Sequence, residues 1–215
     1  MKKLSATLKG IALLSMSTLL LCLFIGCSGV SPMSADDSSV YIAPPPLTEE
    51  NIAAGPAPGY QYVKVDMSTS FNGMLIESPM YVQRLLLDEV GGSLFFPDPV
   101  SGKDMVYWHG MVIGEEAIHE DILSEMRVPD PGIAVVDFGP TPYQFDSQVQ
   151  VELSYMNTEV LEGGGSPEDL VIMWWNYTTG KFEEIPTTVD ETQQKLIGQT
   201  DHFTRYIIAT GRGND

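Results

Sequence analysis

The chain has 215 residues, with 29 Asp and Glu against 11 Lys and Arg, a formal charge of −18 at pH 7, two cysteines and 43% hydrophobic residues. Both nucleic acid and anionic lipid headgroups would repel so acidic a chain, so the composition predicts no nucleic-acid partner and a surface kept soluble by its own charge. The length suffices for one domain with a hydrophobic core of its own.

At the start, Lys2, Lys3 and Lys9 precede an apolar run from Ile11 to Ile25. This is a positive n-region followed by an h-region too short for a spanning helix. Gly26 is the small residue a signal peptidase needs before its cut. Leu23-Phe24-Ile25-Gly26-Cys27 resembles the lipobox of bacterial lipoproteins, with Phe24 where Leu is usual. The resemblance implies a signal peptide over residues 1–26, cleavage before Cys27 and diacylglyceryl attachment to the Cys27 sulfur. Cys22 fits poorly, because bulky Leu21 precedes it. Cleavage would leave 189 residues with 8 basic and 29 acidic side chains, a formal charge of −21. With Cys22 removed and Cys27 lipidated, the mature chain can form no disulfide of its own. Its first expected partner is the lipid bilayer, held through the acyl chains on Cys27; one acyl chain binds marginally, whereas two or more hold stably. The expected location is extracytoplasmic. In a host with two membranes, Ser28 after the anchor resembles outer-membrane sorting.

Residues 27–59 comprise the lipidated Cys and a Pro-rich linker. Pro32, Pro44, Pro45, Pro46, Pro56 and Pro58 stand among small and acidic residues with almost no periodic hydrophobicity, which predicts a disordered, extended tether. From Tyr60 the pattern becomes that of strands. Tyr60, Tyr62, Val63, Val65 and Met67 open it, then Tyr81 to Leu87, Gly91-Gly92 and Leu94 to Phe96. Glu115 to Met126 carries Ile118, Ile122 and Met126 four apart, but Ile122, Ser124, Met126 and Val128 also alternate; a loop or single helical turn followed by a strand is expected. Val149, Val151, Leu153 and Tyr155 alternate with Gln148, Gln150, Glu152 and Ser154, as a half-buried antiparallel strand should. Glu152 is thus expected to face water, so that its loss changes stability by about 0.5 kcal/mol or less. Leu170 to Trp175 is a dense apolar run, and Thr178-Thr179-Gly180-Lys181 turns the chain into Phe182 to Ile185 as a hairpin. Leu196-Ile197 and Tyr206 to Ala209 close the set. The prediction is an all-β antiparallel sandwich over residues 60–210, with a short C-terminal tail over 211–215.

Two blocks carry a further resemblance. The first is Asp137-Phe138-Gly139-Pro140-Thr141-Pro142-Tyr143-Gln144-Phe145, leading into Val149 to Tyr155. The second is Leu170 to Asn176, then Thr179 to Ile185, then Asp201-His202-Phe203-Thr204-Arg205-Tyr206. Together they resemble the C-terminal half of bacterial ZU-five-like β-sandwich modules, related to the ZU-five domains of ankyrins and netrin receptors. Thr141-Pro142-Tyr143 stands where that family has a Gly, Phe182 replaces its hairpin Trp, and Ile113 to Ile118 lacks its two prolines. The resemblance covers residues 81–210. It implies an adhesion or scaffold domain without catalysis, with an envelope protein or a glycan as partner.

His109, His119 and His202 are the only imidazoles, and none has metal-ligand spacing or an H-E-x-x-H run. His119-Glu120-Asp121 reads as a surface polar triplet. Asp98 to Asp104 lacks the D-x-D-x-D-G spacing of a calcium loop, and Gly163-Gly164-Gly165-Ser166 lacks the Lys of a phosphate loop. No G-x-S-x-G elbow occurs. The sequence therefore predicts no metal, no cofactor and no enzymatic activity. Two alternatives stay open. Of Trp108, Trp174 and Trp175, the last two are adjacent in a strand and must point to opposite faces, so one of them can serve a carbohydrate-binding module. His202-Phe203-Thr204 resembles the His-Phe-Ser triplet at which some ZU-five relatives and a nucleoporin domain cut themselves. That resemblance implies attack by the Thr204 hydroxyl on the Phe203 carbonyl with help from His202; otherwise Phe203 simply fills the core.

Overall fold

The computed structural model describes residues 42–65, 80–88, 90–97, 107–156, 158–162 and 165–211. Among the described residues, twelve strands form two antiparallel sheets. In chain order they are β1 (Gln61–Tyr62), β2 (Met80–Leu86), β3 (Gly92–Pro97), β4 (Tyr107–Ile113), β5 (Ile122–Val128), β6 (Val135–Gly139), β7 (Tyr143–Ser154), β8 (Leu170–Asn176), β9 (Lys181–Ile185), β10 (Thr187–Asp190), β11 (Lys195–Phe203) and β12 (Arg205–Thr210). The first sheet runs β2-β5-β6-β12-β8-β9, with β1 added against β12; the second runs β10-β11-β7-β4-β3. Two short α-helices, α1 (Glu49–Ala54) and α2 (Glu159–Glu162), and a 3-10 turn at Pro167–Asp169 complete the described elements. This is the all-β sandwich expected from the alternation.

Period-two burial explains most of it. Val149, Val151 and Leu153 of β7 point between the sheets and are buried, as are Ile122, Met126 and Val128 of β5. The ambiguous stretch before β5 resolves as a turn at Glu115 to Ala117 followed by the strand. Exposed helix formers there gain nothing from one turn of helix, whereas the alternating face buries four side chains in the inter-sheet core. The hairpin between β8 and β9 turns at Gly180, whose φ of +64° favours glycine and whose absent Cβ leaves room for Ile42. Opposite Asp201, β7 bulges: Thr200 faces Val149 but His202 already faces Gln144.

The described part of the linker departs from an extended tether. Residues 42–59 form a strap across the outer face of the first sheet. Leu47, Ile52, Ala57 and Tyr60 pack on a second apolar cluster made by Val135, Val171, Met173, Trp175, Phe182 and Ile207. Its few hydrophobic residues lack a period because they are spaced by a Pro-rich run and one short helix rather than by a single regular element. α1 begins at Thr48, whose hydroxyl accepts from the Asn51 amide (3.2 Å), with Glu49 and Glu50 at its positive end. The Trp175 indole Nε1 donates to the Ile42 carbonyl (2.7 Å), and the Arg205 guanidinium donates to the Pro45 carbonyl (2.8 Å) while gripping Asp137 through two bonds of 2.6 and 2.9 Å. Burial works against the Arg205 charge, but the Asp137 pair more than offsets it and holds the guanidinium's pKa above its ordinary value. The described unit that includes the sandwich therefore starts earlier than Tyr60, at Ile42 of the strap. Residues 1–26, Cys27 and residues 28–41 lie outside the described residues.

Candidate functional site

The residues singled out by sequence converge on the junction of β11, β12 and β8. Phe203 ends β11 and is buried between the sheets, its ring 4.7 Å from Phe145 and 5.7 Å from Tyr143. Thr204, fully buried, links β11 to β12. Its Oγ1 donates to the Trp175 carbonyl at 2.7 Å, and its own carbonyl accepts from the Phe138 amide at 3.0 Å. His202 Nδ1 donates to the Asp201 carboxylate at 2.6 Å, and its carbonyl accepts from the Tyr206 hydroxyl at 2.7 Å. Tyr206 also shares a 2.7 Å bond with the Thr200 hydroxyl; burial raises its pKa, and the Thr200 bond only partly opposes this.

Self-cleavage needs the Thr204 proton to leave for a base as the oxygen attacks. Here the proton points at a peptide carbonyl, which is a poor base. The backbone on both sides of Phe203-Thr204 makes ordinary strand bonds. This arrangement packs an aromatic core plug and anchors a strand junction.

Trp174 and Trp175 do point to opposite faces. Trp175 is buried under the strap on the outer face. Trp174 faces the gap between the sheets and is half-buried, packed against the core with the His202 ring 4.2 Å away at 61°. Its neighbour across the hairpin, Glu183, accepts from Asn176 and Thr179 (2.9 and 2.8 Å). The Trp108 side chain, Asp98 to Asp104, Gly163 and Gly164 lie outside the described residues.

The remaining imidazoles are scattered. His109 is buried, and its Nδ1 accepts from the Ser154 amide at 3.2 Å. His119 is on the surface, 3.2 Å from Asp146 and stacked on Tyr143. Among the described residues no three His, Cys, Asp or Glu side chains converge as metal ligands, and no helix is long and apolar enough to cross a membrane.

Sequence reasoning missed two features. Glu152 points to the outer face of its sheet, as expected, yet it is nearly buried: its carboxylate meets Lys195 Nζ at 2.7 Å, with side-chain exposures of 12% and 7%. The second is a set of exposed apolar side chains on the outer face of β2 and β5 and in the turn after β2, interrupted by Gln83 and by Glu125, whose carboxylate accepts from the Tyr81 hydroxyl at 2.9 Å. Tyr81, Leu85, Leu87, Val90 and Leu123 are 51, 57, 44, 61 and 56% exposed, and Leu85 stands directly opposite Leu123. The run Leu85-Leu86-Leu87 reads as strand interior, but only Leu86 points inward.

Neither a protein-family model nor a characterised relative matches this sequence.

Proposed function

We propose that the chain is a bacterial lipoprotein, held to a membrane by acyl chains on Cys27 and displaying a ZU-five-like β-sandwich as a non-enzymatic interaction or envelope-structural module. The address rests on Leu23-Phe24-Ile25-Gly26-Cys27. The observation that carries the interaction reading is this exposed apolar set: five of the seven large hydrophobic side chains exposed among the described residues gather on β2, β5 and the turn after β2. Exposed apolar residues scattered singly need no explanation, but their gathering at one end of the sheet, with Leu85 directly opposite Leu123, supports a contact surface. The engaged hydroxyl of Thr204 supports an inert sandwich over a self-cleaving one. Trp174, packed against His202 and the core, offers less open ring than a sugar platform needs.

The test is metabolic labelling with a palmitate probe. The unsubstituted chain should label and fractionate with membranes, and Cys27→Ala should lose the label and keep its signal or be cut elsewhere. Equal labelling of Cys27→Ala would refute the anchor.

A further inference from the structure

The outer face of the first sheet is closed by the chain itself. Val135, Val171, Met173, Trp175, Phe182 and Ile207 are each at most 6% exposed, and the strap lies over them. The strap is built differently from what it covers. No residue from Ile42 to Tyr60 is buried, and α1 contributes no buried side chain. Leu47, Ile52 and Ala57 rest on the outer-face cluster, which is separate from the core between the sheets.

Hydrogen bonds hold the strap's first residues. The Ile42 amide donates to the Tyr177 carbonyl at 3.0 Å, and the Ile42 and Pro45 carbonyls accept from Trp175 and Arg205. Farther on, the strap bonds to itself: the Ile52 amide to the Thr48 carbonyl at 2.9 Å, the Gly55 amide to the Ile52 carbonyl at 3.2 Å, and Asn51 Nδ2 to the Pro46 carbonyl at 2.8 Å. From Gln61 the chain belongs to the sheet. Gln61 and Tyr62 pair with Thr210 and Ala209, the Val63 amide donates to the Ile208 carbonyl at 3.2 Å, and Tyr62 and Val63 are buried. Gly59, with a φ of +81°, stands just before this change, where a permissive backbone serves as a hinge. The strands underneath are ordered without the strap, since β8 is paired with β12 on one side and β9 on the other.

We propose that residues 42–58 form a lid, hinged at Gly59, that lifts from the first sheet as a unit while the sandwich stays folded, uncovering Met173, Trp175 and Phe182. A segment with few buried contacts of its own opens at a lower free energy than the whole domain unfolds. α1 has six residues, too few for a helix to persist alone in water, so helix and sheet contact are lost together. The fold thus carries an apolar sheet face that its own chain conceals, whether or not Cys27 is lipidated.

The experiment is thiol labelling of the full-length folded chain with a maleimide, across a series of low urea concentrations. Met173→Cys places a thiol under the lid, and Val136→Cys, nearly equal in volume to the side chain it replaces, places one between the sheets. The unsubstituted chain, with Cys22 and Cys27, sets the background. Without urea, Met173→Cys should label at least tenfold faster than Val136→Cys, and its rate should rise less steeply with urea, because lid opening exposes less surface than unfolding. Adding Thr48→Ala, which removes the cap of α1 at an exposed position, should speed labelling of Met173→Cys about fivefold and leave Val136→Cys unchanged. Hydrogen exchange of the unsubstituted chain asks the same question without a substitution in either apolar cluster. The Ile52 and Gly55 amides should exchange with little dependence on urea, and the Ile208 amide, bonded to Ala134, only with unfolding. Equal labelling rates with equal urea dependence, no response to Thr48→Ala, or lid amides that exchange only with the Ile208 amide would each overturn the lid.

Discussion

Replacing Glu152 by Ala tests the packing of the second sheet's outer face. By strand alternation Glu152 faces out, and an outward Glu costs about 0.5 kcal/mol or less to remove. Here the carboxylate is 12% exposed, 2.7 Å from a 7% exposed Lys195 ammonium, and its other oxygen accepts from Gln150 Nε2 at 2.7 Å. Removing it leaves a shielded ammonium without its carboxylate, with the Phe95 ring 5.5 Å away as a weak substitute. Breaking a buried pair from one side costs ~3 kcal/mol at the low end of what is measured, because the remaining charge stays desolvated. In a domain of this size that lowers Tm by about 6–12 °C. Thermal unfolding followed by circular dichroism reads it directly. The double variant Glu152→Leu with Lys195→Met should recover most of the loss, since removing both charges removes the desolvation cost with the attraction. A Glu152→Ala Tm within 2 °C of the parent protein, about 0.5 kcal/mol, would refute the reasoning and mean that this face is open to water.

Ser124 Oγ is buried with no hydrogen-bond partner among the described residues; Ser124→Ala should therefore leave stability unchanged or raise it by about 1 kcal/mol in urea unfolding, and a loss above 1 kcal/mol would reveal a partner. Trp175→Phe removes the Nε1 bond to the Ile42 carbonyl. It should cost about 1 kcal/mol and speed proteolysis within residues 42–57 more than elsewhere, whereas uniform proteolysis would mean the strap is not separately held. Burial raises the Tyr206 pKa, so an unfolded chain, whose tyrosines ionise near pH 10, releases that proton first. The stability Tyr206 contributes is complete below about pH 10 and is lost as the pH rises towards its folded value. Tyr206→Phe should be less stable at neutral pH, through its lost bonds to His202 and Thr200, yet flatten the alkaline fall; an unchanged alkaline slope would contradict this.

Where local pattern and tertiary burial agree, the sequence was readable. Val149, Val151 and Leu153 alternate because one face of β7 meets the opposing sheet, and Thr179-Gly180 marks a hairpin because Gly180 needs a positive φ. The strap was not readable: Leu47, Ile52 and Ala57 have no common period, and what holds them is a sheet face assembled from strands far along the chain, from Val135 in β6 to Ile207 in β12. Glu152 was misread for a related reason. Alternation gives the face of a residue, but not whether that face is covered, and its partner Lys195 lies 43 residues on. At the junction, adjacency placed Trp174 and Trp175 on opposite faces, but which of them is covered depended on the strap. The triplet at His202 could be located in sequence, yet the direction of the Thr204 hydroxyl depends on a carbonyl of β8.

Intact-mass spectrometry of the protein extracted from its own membranes tests the anchored, inert sandwich most directly. One species should be found, beginning at Cys27 with the added mass of its acyl chains and unbroken between Phe203 and Thr204. A species beginning at Cys27 without acyl mass would contradict the anchor, and a fragment beginning at Thr204 would contradict the inert domain.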